Sequence, residues 1–173
     1  HSGENMEELL QLREADQDLP LQMCDGSNHN APQSAETLRC NCLVHARRKF
    51  FEIYPSFPEE CGKVLSWISR VYRVDRIARE KGLTLLERLT FHQKYSTSAL
   101  EAWKAWMDDQ LDSGKTEPNS RLGQALQYRR KRWKELTRVL SIPGAILDNN
   151  LCEQALKVPI RNRKEALFFK TEH

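Results

Sequence analysis

Residues 148–153, with the sequence DNNLCE, combine a candidate helix start with an acidic side chain that precedes a basic segment. Asn150 followed three positions later by Glu153 is the capping-box pattern in its Asn form, which predicts a helix beginning here. A well-capped helix on a solvated surface explains this pattern. A metal-dependent phosphoryl-transfer site also explains it, because such a site needs a carboxylate for a divalent ion and cations for phosphates. Basic side chains follow the carboxylate at Lys157, Arg161, Arg163 and Lys164.

The composition limits the class of protein. A length of 173 residues suits one domain with a core of ordinary size. Charged residues make up 29% and apolar residues 39% of the chain, which is typical of a soluble globular protein. Five cysteines, an odd number without the spacing of a disulfide framework, indicate a reducing cytosol. The sequence contains no apolar run of membrane-spanning length and no visible signal peptide.

Basic side chains are concentrated in two segments. Residues 121–138 contain seven basic side chains and one acidic, and residues 39–49 contain four basic and none acidic. The net charge of +3 is too small to indicate a nucleic-acid partner by itself. Such segments are either solvated helix faces or surfaces that bind nucleic acid.

A second candidate carboxylate lies near the beginning of the chain. Residues 21–24, LQMC, predict a short buried strand, which ends in Asp25 and opens into a Gly/Asn-rich loop. A rigid strand that opens into a loop is a usual place for a functional carboxylate, although a turn-forming Asp explains the same local sequence. Residues 36–44 predict a second strand or a strand that runs into a helix, followed by the basic and aromatic segment HARRKFF at 45–51.

The middle of the chain is strongly helical. Ser56 with Glu59 is a capping-box pattern that predicts a helix extending to Glu80, and the tryptophans at 103 and 106 are expected in the core. The helical block separates Asp25 and the basic segment at 45–51 from Glu153, which suggests a helical subdomain at 56–145 inserted into an α/β core. Three further helices are predicted at Thr84–Tyr95, Ser98–Leu111 and Leu122–Leu140, and Thr84 with Glu87 opens the first of them.

Three segments together resemble one protein family. They are MCD at 23–25, NCLVHARRKFFEI at 41–53 and DNNLCEQALKVPIRNRKEALFF at 148–169. The chain closely resembles the bacterial insertion-sequence transposases of family 66. The intervening stretches FPEEC at 57–61, ERLTFHQKYS at 87–96 and EPNSRLGQAL at 117–126 agree with this resemblance.

The resemblance implies an α/β fold that is helix-dominated overall. It would be a partial RNase H-like core of the Asp-Asp-Glu type, with its first strands missing and a large, mostly α-helical insertion. Residues 1–55 would form the partial core, 56–145 the insertion, and 146–173 the catalytic-Glu helix and a basic C-terminal segment. We expect the isolated chain to be inactive, because the first catalytic Asp would lie upstream of His1.

The resemblance also implies the site residues and the partners. Asp25 is the expected second carboxylate and Glu153 the third, and the complete set would hold two Mg²⁺ or Mn²⁺ ions. The partner would be double-stranded DNA, both insertion-sequence ends and target, bound by a homo-oligomer in the bacterial cytoplasm near the nucleoid. The turn presenting Glu153 would be Asp148, Asn149 and Asn150, and the DNA contacts would be His45, Arg47, Arg48, Lys157, Arg161, Arg163 and Lys164.

Departures from the family pattern keep other hypotheses open. Gln154 stands where Arg is frequent, and Glu165 brings a negative charge where a neutral amide is usual. One alternative is a non-catalytic DNA-binding or oligomerisation remnant of a decayed transposase that works through its basic helix at 121–138. Another is a related RNase H-like nuclease, which would need no terminal inverted repeats in its substrate.

Overall fold

A computed structural model describes residues 7–8, 10–13, 18–24 and 36–149 of the chain. This part is dominated by helices, and none of its helices is long and apolar enough to cross a membrane. The elements are β1 (Leu21–Cys24), β2 (Leu38–Asn41), α1 (Leu43–Ile53), α2 (Pro58–Glu80), α3 (Leu85–Tyr95), α4 (Thr97–Asp112), α5 (Arg121–Lys131), the short α6 (Trp133–Leu136) and a 3₁₀ turn (Arg138–Leu140).

The two strands form a small parallel sheet. Leu21 lies opposite Leu38 and Cys24 lies opposite Asn41, so the predicted strand at 21–24 is confirmed. Of the two predictions for residues 36–44, a strand that runs into a helix is confirmed, because β2 ends at Asn41 and α1 begins at Leu43. The last residue of each strand, Cys24 and Asn41, is buried, whereas the first residues, Leu21 and Leu38, are more exposed. Both strands therefore lead into the packed interior.

Helices α1, α2, α4 and α5 share one hydrophobic core. Trp103 of α4 is fully buried and lies at its centre, with its ring packed edge-on against Phe50 of α1 at 6.0 Å and against Trp133 at 5.1 Å. Trp106 is partly buried and packs against the same core, with its ring 5.8 Å from that of Trp67. The prediction that both tryptophans belong to the core is confirmed.

The structure contains the capping box at the start of α3 but not the one predicted at the start of α2. The capping box at Thr84 and Glu87 is present, and α3 begins there as predicted. The capping box predicted at Ser56 is wrong, because α2 begins after Phe57 without a side-chain cap. Pro58 occupies the first turn and has no N–H to cap, while the Ser56 amide instead donates to the carbonyl of Ile53.

The prediction of one continuous helix at 122–140 is also wrong. Helix α5 ends at Lys131, and Arg132 leaves the helical conformation with φ −116° and ψ 19°. The break turns the Trp133 ring against the core and allows Arg138 Nε to donate to the carbonyl of Arg39 at 3.2 Å. Tertiary packing therefore overrides a sequence whose local pattern favours a long helix.

Two glycines provide a test of this packing. A Cβ on Gly123, in the first turn of α5, would lie 2.1 Å from the carbonyl oxygen of Glu117, whereas a Cβ on Gly62 in α2 would meet nothing closer than 4.0 Å. We expect Gly123→Ala to lower the free energy of unfolding by about 2 kcal/mol, because backbone has to move. Gly62→Ala should raise it by about 0.5–1 kcal/mol through helix propensity. Urea unfolding followed by circular dichroism measures both, and equal effects would contradict the packing described.

Candidate catalytic and nucleic-acid site

The first residues of α1 hold two distant segments of the chain together. The Cys42 amide donates to the carbonyl of Cys24 at 2.8 Å, and the Leu43 amide donates to the carbonyl of Leu147 at 2.8 Å. Because the two amides are adjacent in the chain, the two carbonyl oxygens lie within about 9 Å of each other. The end of β1 and the segment at 147–149 therefore meet at the start of α1.

Several of the residues expected at the site lie outside the described part of the chain. Asp148 and Asn149 are described, and both are half-buried directly after the anchored Leu147. The residues outside the described part are Asp25, Asn150, Glu153, Lys157, Arg161, Arg163 and Lys164.

The Asp148 carboxylate lies close to Tyr72 of α2. Burial, followed by the negative charge of Asp148 and its interaction with the hydroxyl, raises the pKa of Tyr72 far above its ordinary value. The hydroxyl and the carboxylate are therefore close neighbours, and the negative charge of Asp148 opposes ionisation of Tyr72. This contact brings α2 to the place where the two chain segments meet.

The predicted DNA-binding residues of α1 point in two directions. His45 and Arg48 are three positions apart and therefore share one face, which is directed toward α5. Arg47 lies on another side, where its guanidinium is 6.0 Å from the ring of Phe51. The structure thus brings His45 and Arg48 together and separates Arg47 from them.

A groove of about 410 Å³ separates α1 from α5. Arg129 of α5 forms part of its wall, is only 6% exposed, and donates through Nη2 to the carbonyl of His45 at 3.3 Å. The neighbouring Tyr128 ring lies 3.8 Å from the guanidinium of Arg132. We call this the α1–α5 groove; its lining residues are His45, Arg48, Lys49, Glu52, Gln124, Ala125, Tyr128 and Arg129.

A second basic surface lies on α2, which we call the α2 arginine surface. Arg73, Arg76 and Arg79 line a depression of about 580 Å³ together with Tyr72. Arg76 makes an exposed ion pair with Glu80 at 3.7 Å. This surface was not among the predicted sites, although arginines spaced by three in RVYRVDRIAR at 70–79 are a sequence signal for it.

Comparison with known proteins identifies the family of this chain. The model of the family described as Transposase IS66 family matches residues 21–173. The chain belongs to the IS66 transposase family. The match includes both basic surfaces and the two segments that meet at the start of α1.

Two relatives of the IS66-family chain come from Sinorhizobium fredii (strain NBRC 101917 / NGR234). Uncharacterized protein y4jD is 27% identical over 144 residues, which cover 82% of this chain and 27% of the relative. Uncharacterized protein y4qI is 25% identical over 141 residues, which cover 80% of this chain and 25% of the relative. The chain therefore spans about a quarter of the length of these curated relatives. No solved structure matches the chain.

A buried polar network links α2 to α3 in this IS66-family chain, and the sequence analysis did not find it. Asp75 is fully buried and accepts a hydrogen bond from Arg88 Nε at 3.1 Å and another from Arg79. His92 Nε2 lies 3.1 Å from the Asp75 carboxylate, and His92 Nδ1 lies 2.9 Å from the hydroxyl of Ser96. The Ser–His–Asp chain resembles a nucleophilic triad, but all three side chains are fully buried, so it has a structural role.

The network keeps Asp75 ionised. Burial alone would raise the pKa of this carboxyl, but the hydrogen bond from His92 and the charges of Arg88 and Arg79 outweigh burial and lower the pKa to about 2. The folded protein therefore contains a buried carboxylate that is neutralised by cations and ties two helices together.

Within the described residues, no group of three or more His, Cys, Asp or Glu side chains is arranged to hold a metal ion. Asp148 is the described carboxylate nearest to the point where the two chain segments meet. Carboxylate oxygens are the donors that Mg²⁺ and Mn²⁺ prefer, so Asp25 and Glu153 fit such an ion by their chemistry.

Replacing Asp75 tests the role of the network. We expect Asp75→Asn to lower the free energy of unfolding by about 3 kcal/mol, because it removes the buried charge that binds Arg79, Arg88 and His92 and leaves the partly buried Arg88 without its counter-charge. Asp112→Asn is the matched control, since it breaks an ion pair with Arg130 in which both side chains are exposed. The control should cost less than about 1 kcal/mol. Urea unfolding at pH 7 measures both changes, and a small loss for Asp75→Asn would contradict the structural role.

The lowered pKa of Asp75 predicts a pH dependence. Because its pKa in the folded protein is about 2 and its ordinary value is 3.8, the carboxylate stabilises the fold fully above about pH 4. That contribution, about 2 kcal/mol, should disappear as the pH falls from about 4 to about 2. Unfolding measured across this window should show the loss in the parent chain. The difference in stability between the parent and Asp75→Asn should shrink in the same window, and a constant difference would contradict the assignment.

Proposed function

We propose that this chain forms part of the catalytic core of a DNA transposase, in which Asp25 and Glu153 are the second and third carboxylates of an RNase H-like Asp-Asp-Glu site. The observation that carries the proposal is the pair of hydrogen bonds at Cys42 and Leu43, which holds Cys24 and Leu147 together. Membership of the IS66 transposase family supports the reaction class.

The distances along the chain agree with a shared site. Asp25 directly follows Cys24, and Glu153 comes six residues after Leu147. Six residues span at most about 21 Å when extended, and less if a helix begins at Asn150 as the capping-box pattern predicts, so both carboxylates can reach one metal centre. When bound, divalent ions in such a site activate water or a DNA 3′-hydroxyl for in-line attack on a phosphodiester. The role of Asp25 and Glu153 is to hold these ions.

The domain arrangement is part of the proposal. We assign residues 1–55 and 146–173 to a partial RNase H-like core and residues 56–145 to a helical insertion. The first carboxylate would come from a preceding part of a longer transposase, a view supported by the length of the S. fredii relatives. Helix α1 shares its apolar face with the proposed insertion, so the insertion would support the helix on which the site depends.

Two basic surfaces lie near the start of α1, where we propose the site. Tyr72 of the α2 arginine surface lies beside Asp148, and Arg129 of the α1–α5 groove is bonded to the His45 carbonyl in the first turn of α1. Both basic surfaces therefore reach the start of α1, where DNA would have to lie. We propose that double-stranded DNA is bound there by a homo-oligomer, with further phosphate contacts from Lys157, Arg161, Arg163 and Lys164.

Cleavage of the protein by bound iron tests whether Asp25 and Glu153 share a metal. Fe²⁺ that replaces Mg²⁺ generates hydroxyl radicals with ascorbate and peroxide, and these cut the backbone close to the metal. We expect cuts near residues 25 and 153 in the same chain, and both should disappear in Asp25→Ala and in Glu153→Ala. Asp18→Ala is the control, because its side chain is exposed and precedes β1. Loss of only the cut next to the substituted residue would indicate two separate weak sites.

A non-catalytic DNA-binding or oligomerisation remnant is the second candidate, and the basic α5 beside His45 and Arg48 favours it. It predicts DNA binding in EDTA with a steep dependence on salt that Asp25→Ala and Glu153→Ala leave unchanged. The catalytic proposal instead predicts that Mg²⁺ strengthens binding to DNA and that either substitution removes this gain. Fluorescence anisotropy with a labelled duplex, with and without Mg²⁺, distinguishes the two.

A further inference from the structure

The α1–α5 groove contains buried polar atoms without a hydrogen-bond partner among the described residues. These atoms are Nε of Arg129 and Nδ1 of His45. Burying an N–H or a ring nitrogen without a partner is costly, and the cost is larger when the group carries a charge. Arg129 is only 6% exposed, and although burial lowers its pKa, an arginine side chain remains charged in proteins. The groove therefore favours an anionic ligand.

Acidic side chains among the described residues do not balance the positive charge of the groove. Glu52 is the acidic residue of the lining, and it pairs with Lys49 at 3.7 Å. Within the part of the chain that the structure describes, neither Arg48 nor Arg129 forms an ion pair with an acidic side chain, and Arg129 makes its described hydrogen bond to a backbone carbonyl. Two guanidinium groups are therefore available to the same ligand.

We propose that the α1–α5 groove binds one phosphate group of a nucleotide, with Arg48 and Arg129 of its lining as the cationic partners. Guanidinium groups bind phosphate oxygens through paired hydrogen bonds, and Nε of Arg129 is buried without a partner among the described residues. The groove volume of about 410 Å³ is sufficient for a nucleotide. The Tyr128 ring and the Ala125 methyl group supply apolar wall for a sugar or a base.

Which molecule carries the bound phosphate is inferred from the proposed function. If the chain is part of a DNA transposase, the phosphate belongs to the backbone of DNA that extends past the start of α1. A free nucleotide or inorganic phosphate offers the same chemistry, so the experiment has to compare these sources. Neither source requires the carboxylates or a metal ion.

Two glutamines of α5 provide a matched pair of substitutions. Gln124 lines the groove and donates to the carbonyl of Asn119 at 2.9 Å, whereas Gln127 lies outside the lining and donates to the carbonyl of Pro118 at 3.3 Å. Gln124→Glu and Gln127→Glu therefore change the net charge equally and each remove one similar hydrogen bond. Arg129 is left intact, because its bond to the His45 carbonyl also supports the fold.

The probe is thymidine 3′,5′-bisphosphate, titrated in EDTA and followed by NMR shifts of the α1 and α5 amides. We expect binding to the parent chain, a loss of about tenfold or more in Gln124→Glu, and a change below about twofold in Gln127→Glu. Absence of binding to the parent, or equal losses in the two variants, would overturn the proposal.

Further titrations identify the source of the phosphate. Displacement of the bisphosphate by a duplex of fifteen base pairs would support a DNA backbone phosphate, and lack of displacement would overturn that assignment. Inorganic phosphate that binds as tightly as the bisphosphate would overturn the nucleotide part of the proposal. Because EDTA removes metal ions, a negative result in these titrations says nothing about whether Asp25 and Glu153 share a metal ion. A negative result of the iron-cleavage test likewise says nothing about phosphate binding in the groove.

Discussion

The two hydrogen bonds at the start of α1 are the constraint on which the rest of the structure depends. The first amides of a helix have no partner within the helix, and α1 has no side-chain cap to supply one. Cys42 and Leu43 are buried, so their amides require acceptors from the protein, and these are the carbonyls of Cys24 and Leu147. Capping α1 by backbone alone therefore requires two segments, separated by more than a hundred residues, to meet at one point. The proposed catalytic site follows from this requirement.

The helical part of the chain packs against α1 and places basic side chains near its start. Phe50 of α1 is packed against Trp103 of α4, so α1 is fixed by the same core that fixes α2 and α5. The Asp75 network joins α2 to α3 and neutralises its charges internally. Among the described residues, Arg73 on α2 and Arg48 beside the α1–α5 groove form no ion pair and stay available to an anion. Arg79 serves both purposes, because it bonds Asp75 and also lines the α2 arginine surface.

Local patterns predicted those features that local chemistry determines. The β1 strand and the capping box at Thr84 are examples, because a strand of buried residues and a reciprocal side-chain cap need only their neighbours in sequence. The break after Lys131 and the missing cap at Ser56 depend on tertiary packing and were not predictable in this way. The bond from Arg129 to His45 joins residues 84 positions apart, so no local pattern could reveal the groove. The proposed roles of Asp25 and Glu153 rest on the family resemblance, because no sequence spacing brings these residues together.

The most direct test of this account is to observe the two hydrogen bonds themselves. Scalar couplings across hydrogen bonds, measured by NMR on deuterated protein, connect an amide nitrogen with the carbonyl carbon that accepts its proton. The account predicts one such coupling from Cys42 to Cys24 and another from Leu43 to Leu147. Slow amide hydrogen exchange at both positions should accompany them. A Leu43 amide that exchanges as fast as an exposed loop amide and shows no coupling to Leu147 would contradict the claim that the two segments meet at α1.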